Sequence, residues 1–201
     1  KGAAELINAS YQKSFFGNKN NDTGIASVRA GNVIGGGDWA KDRLLPDCFR
    51  ALNSRKKISI RNPNSIRPWQ FVLEPISGML HLAENLRKNP KQFSEPWNFG
   101  PSLSSKRYTV DEIVKKVIGI WGKNNVISYD KKNNVKLHEA KSLMLNSTKA
   151  KKYLNWKSVY SNNESIFETT EWYKNYFNKN NMRDFTMKQI QQYMKKLNGI
   201  R

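Results

Sequence analysis

Two amides, two arginines and a histidine are the side chains of this sequence best placed to do chemistry: Asn32, Asn98, Arg43, Arg67 and His138. Each falls at or near the end of a predicted β-strand or in a loop beside one. In an open α/β sheet, ligands bind in the crevice outside the carboxyl ends of the strands. Guanidinium groups donate paired, charge-assisted hydrogen bonds to phosphate oxygens, so this set converging on one crevice would suit a diphosphate. The same residues also have plain structural uses: caps and turn bonds for the amides, surface ion pairs for the arginines. The usual catalytic arrangements are missing. His81, His138 and the single Cys48 make no zinc constellation. No G-x-S-x-G elbow and no usefully spaced pair of carboxylates occurs. His81 falls in a helical pattern and reads as a partly buried helix residue. Gly35-Gly36-Gly37 follow a strand, where the backbone must turn sharply or approach a ligand. Their spacing is neither a dinucleotide fingerprint nor a phosphate-binding loop.

The elements that would position these residues alternate between helices and short strands, which indicates an α/β class. Ala3, Leu6, Ile7, Tyr11 and Phe15 are spaced for a helix over 2–16, ending in the cluster 17–21. Residues 25–34 (IASVRAGNVI) read as one buried strand. A short helix over 44–52, a strand at Ile58 and Ile60, and a strand at 70–73 follow. Pro75 sits where N1 of a helix would be, with Ile76, Met79, Leu80, Ala83 and Leu86 on its packing face. A strand at 97–100 precedes a helix capped by Thr109, with Ile113, Val117 and Ile120 inward. Strands are expected at 126–129 and 143–145. Ser147 is expected to cap a short helix through Leu154, and a longer helix spans 166–177. A polar linker at 179–182 leads to an amphipathic helix carrying Phe185, Ile190, Met194 and Leu197, stopped by Gly199, which reads as a detachable appendage or, equally, as a helix whose apolar stripe docks on the body.

The chain has 201 residues, 38% of them hydrophobic and 11% aromatic, enough for a packed core. No run approaches the ~20 apolar residues of a membrane span. The opening KGAAELINAS lacks the apolar region of a secretory signal. One cysteine excludes an intrachain disulfide framework and points to a reducing compartment. The net charge of +19 raises nucleic acid as a partner. Against that, the excess is spread out, and lysine and asparagine dominate over arginine, as on a solvated surface rather than in a phosphate groove.

Seven segments, taken in order, carry a resemblance. They are R-A-G-N-V-I-G-G-G-D-W (29–39), D-R-L-L-P-D (42–47), I-R-N-P (60–63), I-R-P-W-Q (66–70), L-E-P (73–75), W-N-F-G-P (97–101) and H-E-A (138–140). Over roughly 1–177 the chain resembles the C-terminal part of the CDP-glucose dehydratases, extended short-chain dehydrogenase/reductases that use bound NAD. The N-V-x-G, R-x-W and N-x-G-P elements are shared across nucleotide-sugar epimerases and dehydratases, whereas the G-G-G-D-W and R-N-P-x-x-I-R-P-W-Q wording is specific to the CDP-glucose branch.

The resemblance implies the C-terminal portion of a Rossmann-like NAD-binding fold with a small mixed α/β substrate-binding domain. Residues 1–35 and 68–101 would form the Rossmann-like part, 36–67 and 102–178 the nucleotide-sugar domain, and 179–201 the appendage. It implies that Lys1 ends a Tyr-x-x-x-Lys signature, as the catalytic lysine that holds the nicotinamide ribose. It places Asn32, Arg43, Arg67 and Asn98 around the substrate diphosphate and His138 in a loop closing over the nucleotide. The expected partners are a CDP-sugar and, in the intact protein, further copies of the chain; membrane and nucleic acid are not expected. The expected setting is cytoplasmic synthesis of deoxysugars for surface polysaccharide. The glycine-rich NAD loop and the catalytic tyrosine are missing from this sequence, so the chain reads as a C-terminal fragment without turnover of its own.

Overall fold

The computed structural model describes residues 2–16, 23–122, 127–129 and 142–200. Its helices are α1 (Gly2–Phe15), α2 (Leu44–Asn53), α3 (Leu73–Lys88), α4 (Pro90–Phe93), α5 (Val110–Trp121), α6 (Thr148–Leu154), α7 (Asn162–Phe177) and α8 (Met182–Ile200). The strands are β1 (Ser27–Ala30), β2 (Asn32–Ile34), β3 (Ile58–Ile60), β4 (Trp69–Phe71), β5 (Pro96–Phe99) and β6 (Ile127–Tyr129). They pair in parallel as β1–β5, β2–β4 and β3–β6. Parallel pairs joined through helices are the α/β class expected from the sequence.

The single buried strand expected over 25–34 is instead two strands that belong to different pairs. They part at Gly31, where a Cβ would lie 2.3 Å from the Pro68 carbonyl oxygen. Only a residue without a side chain lets the two backbones come this close. Asn32 N–H then donates to that same oxygen at 2.9 Å and starts the β2–β4 ladder. Gln70 rejoins the two pairs by donating from Nε2 to the Phe99 carbonyl at 2.9 Å.

Three apolar clusters hold the elements. The first joins α2, β3, α5 and α7 through Phe49, Leu52, Ile58, Ile60, Ile113, Val117 and Tyr173. Fully burying each aliphatic side chain of this kind is worth about 1.5–3 kcal/mol. The second places Leu82, Phe93, Ala150, Leu154 and Trp156 around Trp97 and Phe99 of β5, so α6 packs with the β1–β5 pair. The third sets Phe71, Val159 and Tyr160 against Tyr193 of α8. Capping boxes start α5 (Thr109 with Glu112) and α7 (Ser161 with Glu164), the second four residues before the expected start at Ile166.

Several expectations need correction. No strand forms at 143–145; beyond the isolated Ser142 bridge to Ile66 that segment is extended and unpaired in any ladder. Ser147 holds the N-cap position of α6 but its hydroxyl goes to the Gly100 carbonyl, and Asn146 Oδ1 accepts from Thr148 N–H instead. Helix α3 starts at Leu73, two residues before Pro75, and buries Glu74, Pro75, Ser77, Gly78 and Leu82. The stripe of Ile76, Met79 and Leu80, expected to pack, is exposed.

Nor is 179–201 a free appendage. Tyr193 is 2% exposed, where the pattern named Met194, and α8 continues past Gly199 to Ile200. Trp172 Nε1 donates to Thr186 Oγ1 at 2.9 Å, and Gln189 Nε2 donates to the Glu168 carbonyl at 2.8 Å, fastening α8 to α7.

At the centre of this attachment is Glu74, fully buried. Its carboxyl accepts from Val159 N–H at 3.0 Å, Tyr160 N–H at 2.6 Å and Tyr193 Oη–H at 3.1 Å. Trp156 Nε1 and Tyr193 both reach Ser77 Oγ one turn along. Burial pushes the Glu74 carboxyl above its ordinary 4.5, against the backbone hydrogen bonds that pull it down. A native pKa raised above the unfolded one gives stability that is complete below about 4.5 and declines as pH climbs toward the native value. Glu74→Gln should flatten that decline in urea melts run across pH, and Tyr193→Phe should cost about 1–2 kcal/mol. A free appendage would leave the Tyr193→Phe melt unchanged.

Candidate functional site

The crossing from β1 to β2 places Asn32 opposite Trp69 in the parallel register, two residues from Arg67. The Asn32 carboxamide makes no hydrogen bond to another described residue, and its side chain is half-buried. Pro68 restricts the backbone of Arg67 to extended conformations, which fixes the direction its side chain takes. Arg67 is half-buried, and its Nη1 donates to the Ile66 carbonyl at 2.9 Å. The Ile66 carbonyl also accepts from Leu143 N–H at 3.3 Å, so the extended segment 142–146 begins beside Arg67. It ends at Asn98, whose Nδ2 donates to the Asn146 carbonyl at 3.2 Å. Asn32 thus neighbours Arg67 through the β2–β4 register, and the segment 142–146 runs from beside Arg67 to Asn98 of β5. Opposite Asn32 in the register, Trp69 Nε1 is buried with no acceptor among the described residues.

Arg29, which the sequence reading passed over, stands on the strand paired with β5. Its register partner is Asn98, whose Oδ1 accepts from Arg29 Nη1 at 3.3 Å. Its other arm forms a bidentate pair with Glu5 of α1, with Nε to Oε1 at 2.5 Å. That guanidinium holds the Glu5 carboxyl below its ordinary range. The alternation of apolar and polar residues in 25–34 carried the signal for Arg29, but only the β1–β5 pairing shows what it faces.

Arg43 behaves differently. It stands at the N-cap of α2 without a cap hydrogen bond, pairs with Asp38 at 3.0 Å, and its side chain is 65% exposed. This is the surface ion pair that was the plain structural use of an arginine here, worth at most about 1 kcal/mol. Lys1 and His138 lie outside the described residues. Cys48 is buried, and desolvation pushes its thiol up to about 12, which leaves it inert as a nucleophile. Among the described residues no group of acidic, histidine or cysteine side chains could hold a metal ion, and no helix is long and apolar enough to cross a membrane.

The glycine run has resolved into two jobs. Gly37 turns the chain at φ 84°, and Gly36 lies under the Trp172 ring, where a Cβ would come within 2.0 Å of ring carbon. The close approach is thus to the protein's own α7. Trp39 follows, packed on Tyr173 at 5.1 Å and Tyr176 at 4.8 Å between ring centres, and Tyr173 Oη donates to the Asp38 carbonyl. Arg50 donates to the carbonyls of Trp39 and Ala40 from below. The loop between β2 and α2 is strapped to α7 by aromatic contact.

No family model matches the chain. It is 42% identical over 197 residues, 96% of its length, to a CDP-glucose 4,6-dehydratase of Salmonella typhimurium, of which it spans 54%. Among solved structures, a UDP-glucuronic acid 4-epimerase from Bacillus cereus in complex with UDP-glucuronic acid and NAD superposes with a TM-score of 0.69. Identity there is 18%, over 86% of this chain and 50% of that one. A dTDP-glucose 4,6-dehydratase from Bacillus anthracis in complex with NAD gives 0.68, with 20% identity over 87% of this chain and 50% of the other. The chain spans about half the length of the relatives it matches.

Gly36→Ala is expected to cost about 1–3 kcal/mol, since the new methyl must displace a packed indole. Equilibrium unfolding monitored by tryptophan fluorescence checks this, and a cost under about 0.5 kcal/mol would show that Trp172 does not hold the loop.

Proposed function

The chain is a relative of CDP-glucose 4,6-dehydratase with the fold of the extended short-chain dehydrogenase/reductases, and from that premise we propose that it serves the NAD-dependent conversion of CDP-glucose to CDP-4-keto-6-deoxyglucose. The setting in this reading is cytoplasmic synthesis of deoxysugars for surface polysaccharide, by a protein that assembles as a homo-oligomer when intact. The observation that carries it is 42% identity sustained over 96% of the chain. The polar seam of Asn32, Arg67 and Asn98 supports it from the side of chemistry.

In this reading residues 1–35 and 68–101 belong to the Rossmann-like part, and 36–67 with 102–178 to the sugar-nucleotide part. Helix α6, packed on β5, joins the former. Lys1 is assigned to the nicotinamide ribose and His138 to the loop over the nucleotide.

NAD, if bound, would supply the hydride-transfer chemistry that such a conversion needs. The described residues fit the sugar diphosphate better than they fit this dinucleotide. The Cβ positions of Gly31, Gly35, Gly36 and Gly78 are each closed by protein atoms, so none of them opens a cradle for a pyrophosphate. What these residues do is bind and orient. Arg67 presents a fork of donors to the phosphate oxygens, and Asn32 and Asn98 add neutral donors that fix the register of the diphosphate along the seam. Trp69 at the seam's floor excludes water on that side, which strengthens each charged contact.

CDP-glucose titration by calorimetry tests the assignment. The chain is expected to bind the nucleotide sugar and to form no 4-keto product with added NAD. Arg67→Ala should weaken binding roughly 30-fold or more, about 2 kcal/mol, and Arg67→Lys should recover part of that because an ammonium is a point donor. Arg43→Ala, which removes a solvent-exposed pair, serves as the comparison. If Arg67→Ala stays folded and binds within threefold of the wild type, the seam is not the diphosphate site.

A further inference from the structure

Asn98 uses its carboxamide in two directions. Oδ1 accepts from Arg29 Nη1 at 3.3 Å across the β1–β5 register, and Nδ2 donates to the Asn146 carbonyl at 3.2 Å. A guanidinium donates and never accepts, so it takes Oδ1 and turns Nδ2 toward Asn146. Exchanging the two atoms would set donor against donor at Arg29 and acceptor against acceptor at Asn146. The Asn146 carbonyl favours the same orientation, but it belongs to the segment being held. Arg29 stands on the paired strand and sets the orientation from outside that segment. The direction of Arg29 is fixed in turn. Its Nε and Nη2 form the bidentate pair with Glu5 of α1, which leaves Nη1 directed at Asn98 because the fork is planar and rigid. The side chains of this pair are 42% and 34% exposed, a setting in which ion pairs add little stability, so its main consequence is geometric.

Segment 142–146 comes close to the end of the strand that carries Asn98, since a Cβ on Gly100 would lie 2.9 Å from Leu145. The segment is held at Leu143, whose N–H donates to the Ile66 carbonyl at 3.3 Å, and at Asn146 by Asn98. Just beyond it, Ser147 Oγ donates to the Gly100 carbonyl at 3.3 Å. At Leu143 and Ser147 the acceptor is a backbone group whose direction the fold already fixes. At Asn146 the hold comes from a side chain that is free to rotate unless something sets it. We propose that Arg29 is a positioning residue that, held by Glu5, presets the Asn98 carboxamide and through it segment 142–146 at the sugar-nucleotide site. The inference rests on the reading under Proposed function, in which Asn98 faces the diphosphate. A carboxamide has two N–H groups, so one remains for a phosphate oxygen after Asn146 has taken the other. Fixing that group beforehand removes the cost of ordering it when the ligand arrives.

The test uses the isotopically labelled 201-residue chain, with cytidine diphosphate as the probe. In the ligand-free chain, Arg29→Met, which keeps the reach of the side chain and removes its donors, should move the Asn98 side-chain amide resonances and speed hydrogen exchange at the Leu143 N–H. It should also weaken cytidine diphosphate roughly tenfold, the value of about one hydrogen bond. Arg29→Lys should restore part of both effects, because an ammonium still donates but cannot hold Glu5 and Asn98 as a fork. Glu5→Gln, at a partly exposed position, should move the same resonances by less, and it carries the test if Arg29→Met does not fold. Asn98 resonances and Leu143 exchange that stay unchanged in these variants overturn the inference, since Arg29 would then serve only to anchor α1. A wild type that binds no cytidine diphosphate, with Asn98 moving as expected in the variants, removes the proposed function and leaves the positioning role standing. Binding as tight in Arg29→Met and Glu5→Gln as in the wild type, with Asn98 unmoved, does the reverse.

Discussion

The buried carboxyl of Glu74 is the contact on which the arrangement of this chain turns. A carboxyl group taken out of water is costly unless its lone pairs are met. Here they are met by two backbone N–H groups, of Val159 and Tyr160, and by the hydroxyl of Tyr193. These groups come from two other parts of the sequence, so one side chain joins the start of α3 to the run before α7 and to α8. Glu74 stands three residues beyond Phe71, the end of β4. Fixing it fixes the far end of the strand that Arg67 introduces, and through the β2–β4 ladder it also fixes Asn32. A tie that reaches Val159, Tyr160 and Tyr193 thus bears on where Asn32 and Arg67 stand.

The seam itself depends on close backbone approach rather than on bulk. Gly31 lets the chain pass the Pro68 carbonyl and leave one parallel pair for the next. That passage brings a free carboxamide, a half-buried guanidinium and a second carboxamide to neighbouring strands. The loop after β2 achieves its shape by the opposite means, with Trp39 and Trp172 filling the space above Gly36. The Asn32 carboxamide is left without a partner among the described residues, and aromatic mass closes the loop after β2.

Much of this was legible in the sequence. Periodicity placed α1, α2, α5 and α7, and T-V-D-E at 109–112 announced its capping box. The α/β class followed from alternation. What failed has physical causes. A run of β-favouring residues cannot show that Gly31 divides it between two pairs, because the reason is a carbonyl 37 residues further along the chain. The α3 and α8 stripes were misassigned because amphipathicity names a face and not what covers it: Tyr193 is buried for its hydroxyl's sake, beside a glutamate that no pattern marked as internal. The apolar side of α1 was read correctly as a helical stripe, and it is its outward direction that the sequence could not give.

The central claim is that a nucleoside diphosphate lies along the seam between β2, β4 and β5. The most direct measurement is nuclear magnetic resonance of the labelled chain titrated with cytidine diphosphate at low and at physiological salt. The account predicts saturable shifts of the Asn32 and Asn98 side-chain amides, the Arg67 guanidinium and the backbone of 142–146, with the Trp69 indole N–H moving as it gains an acceptor. These shifts should persist at the higher salt, since half-buried, forked contacts are screened less than surface ones. Shifts confined to lysines of the exposed surface, and lost as salt is raised, would contradict it: the positive charge would then be binding phosphate without a site.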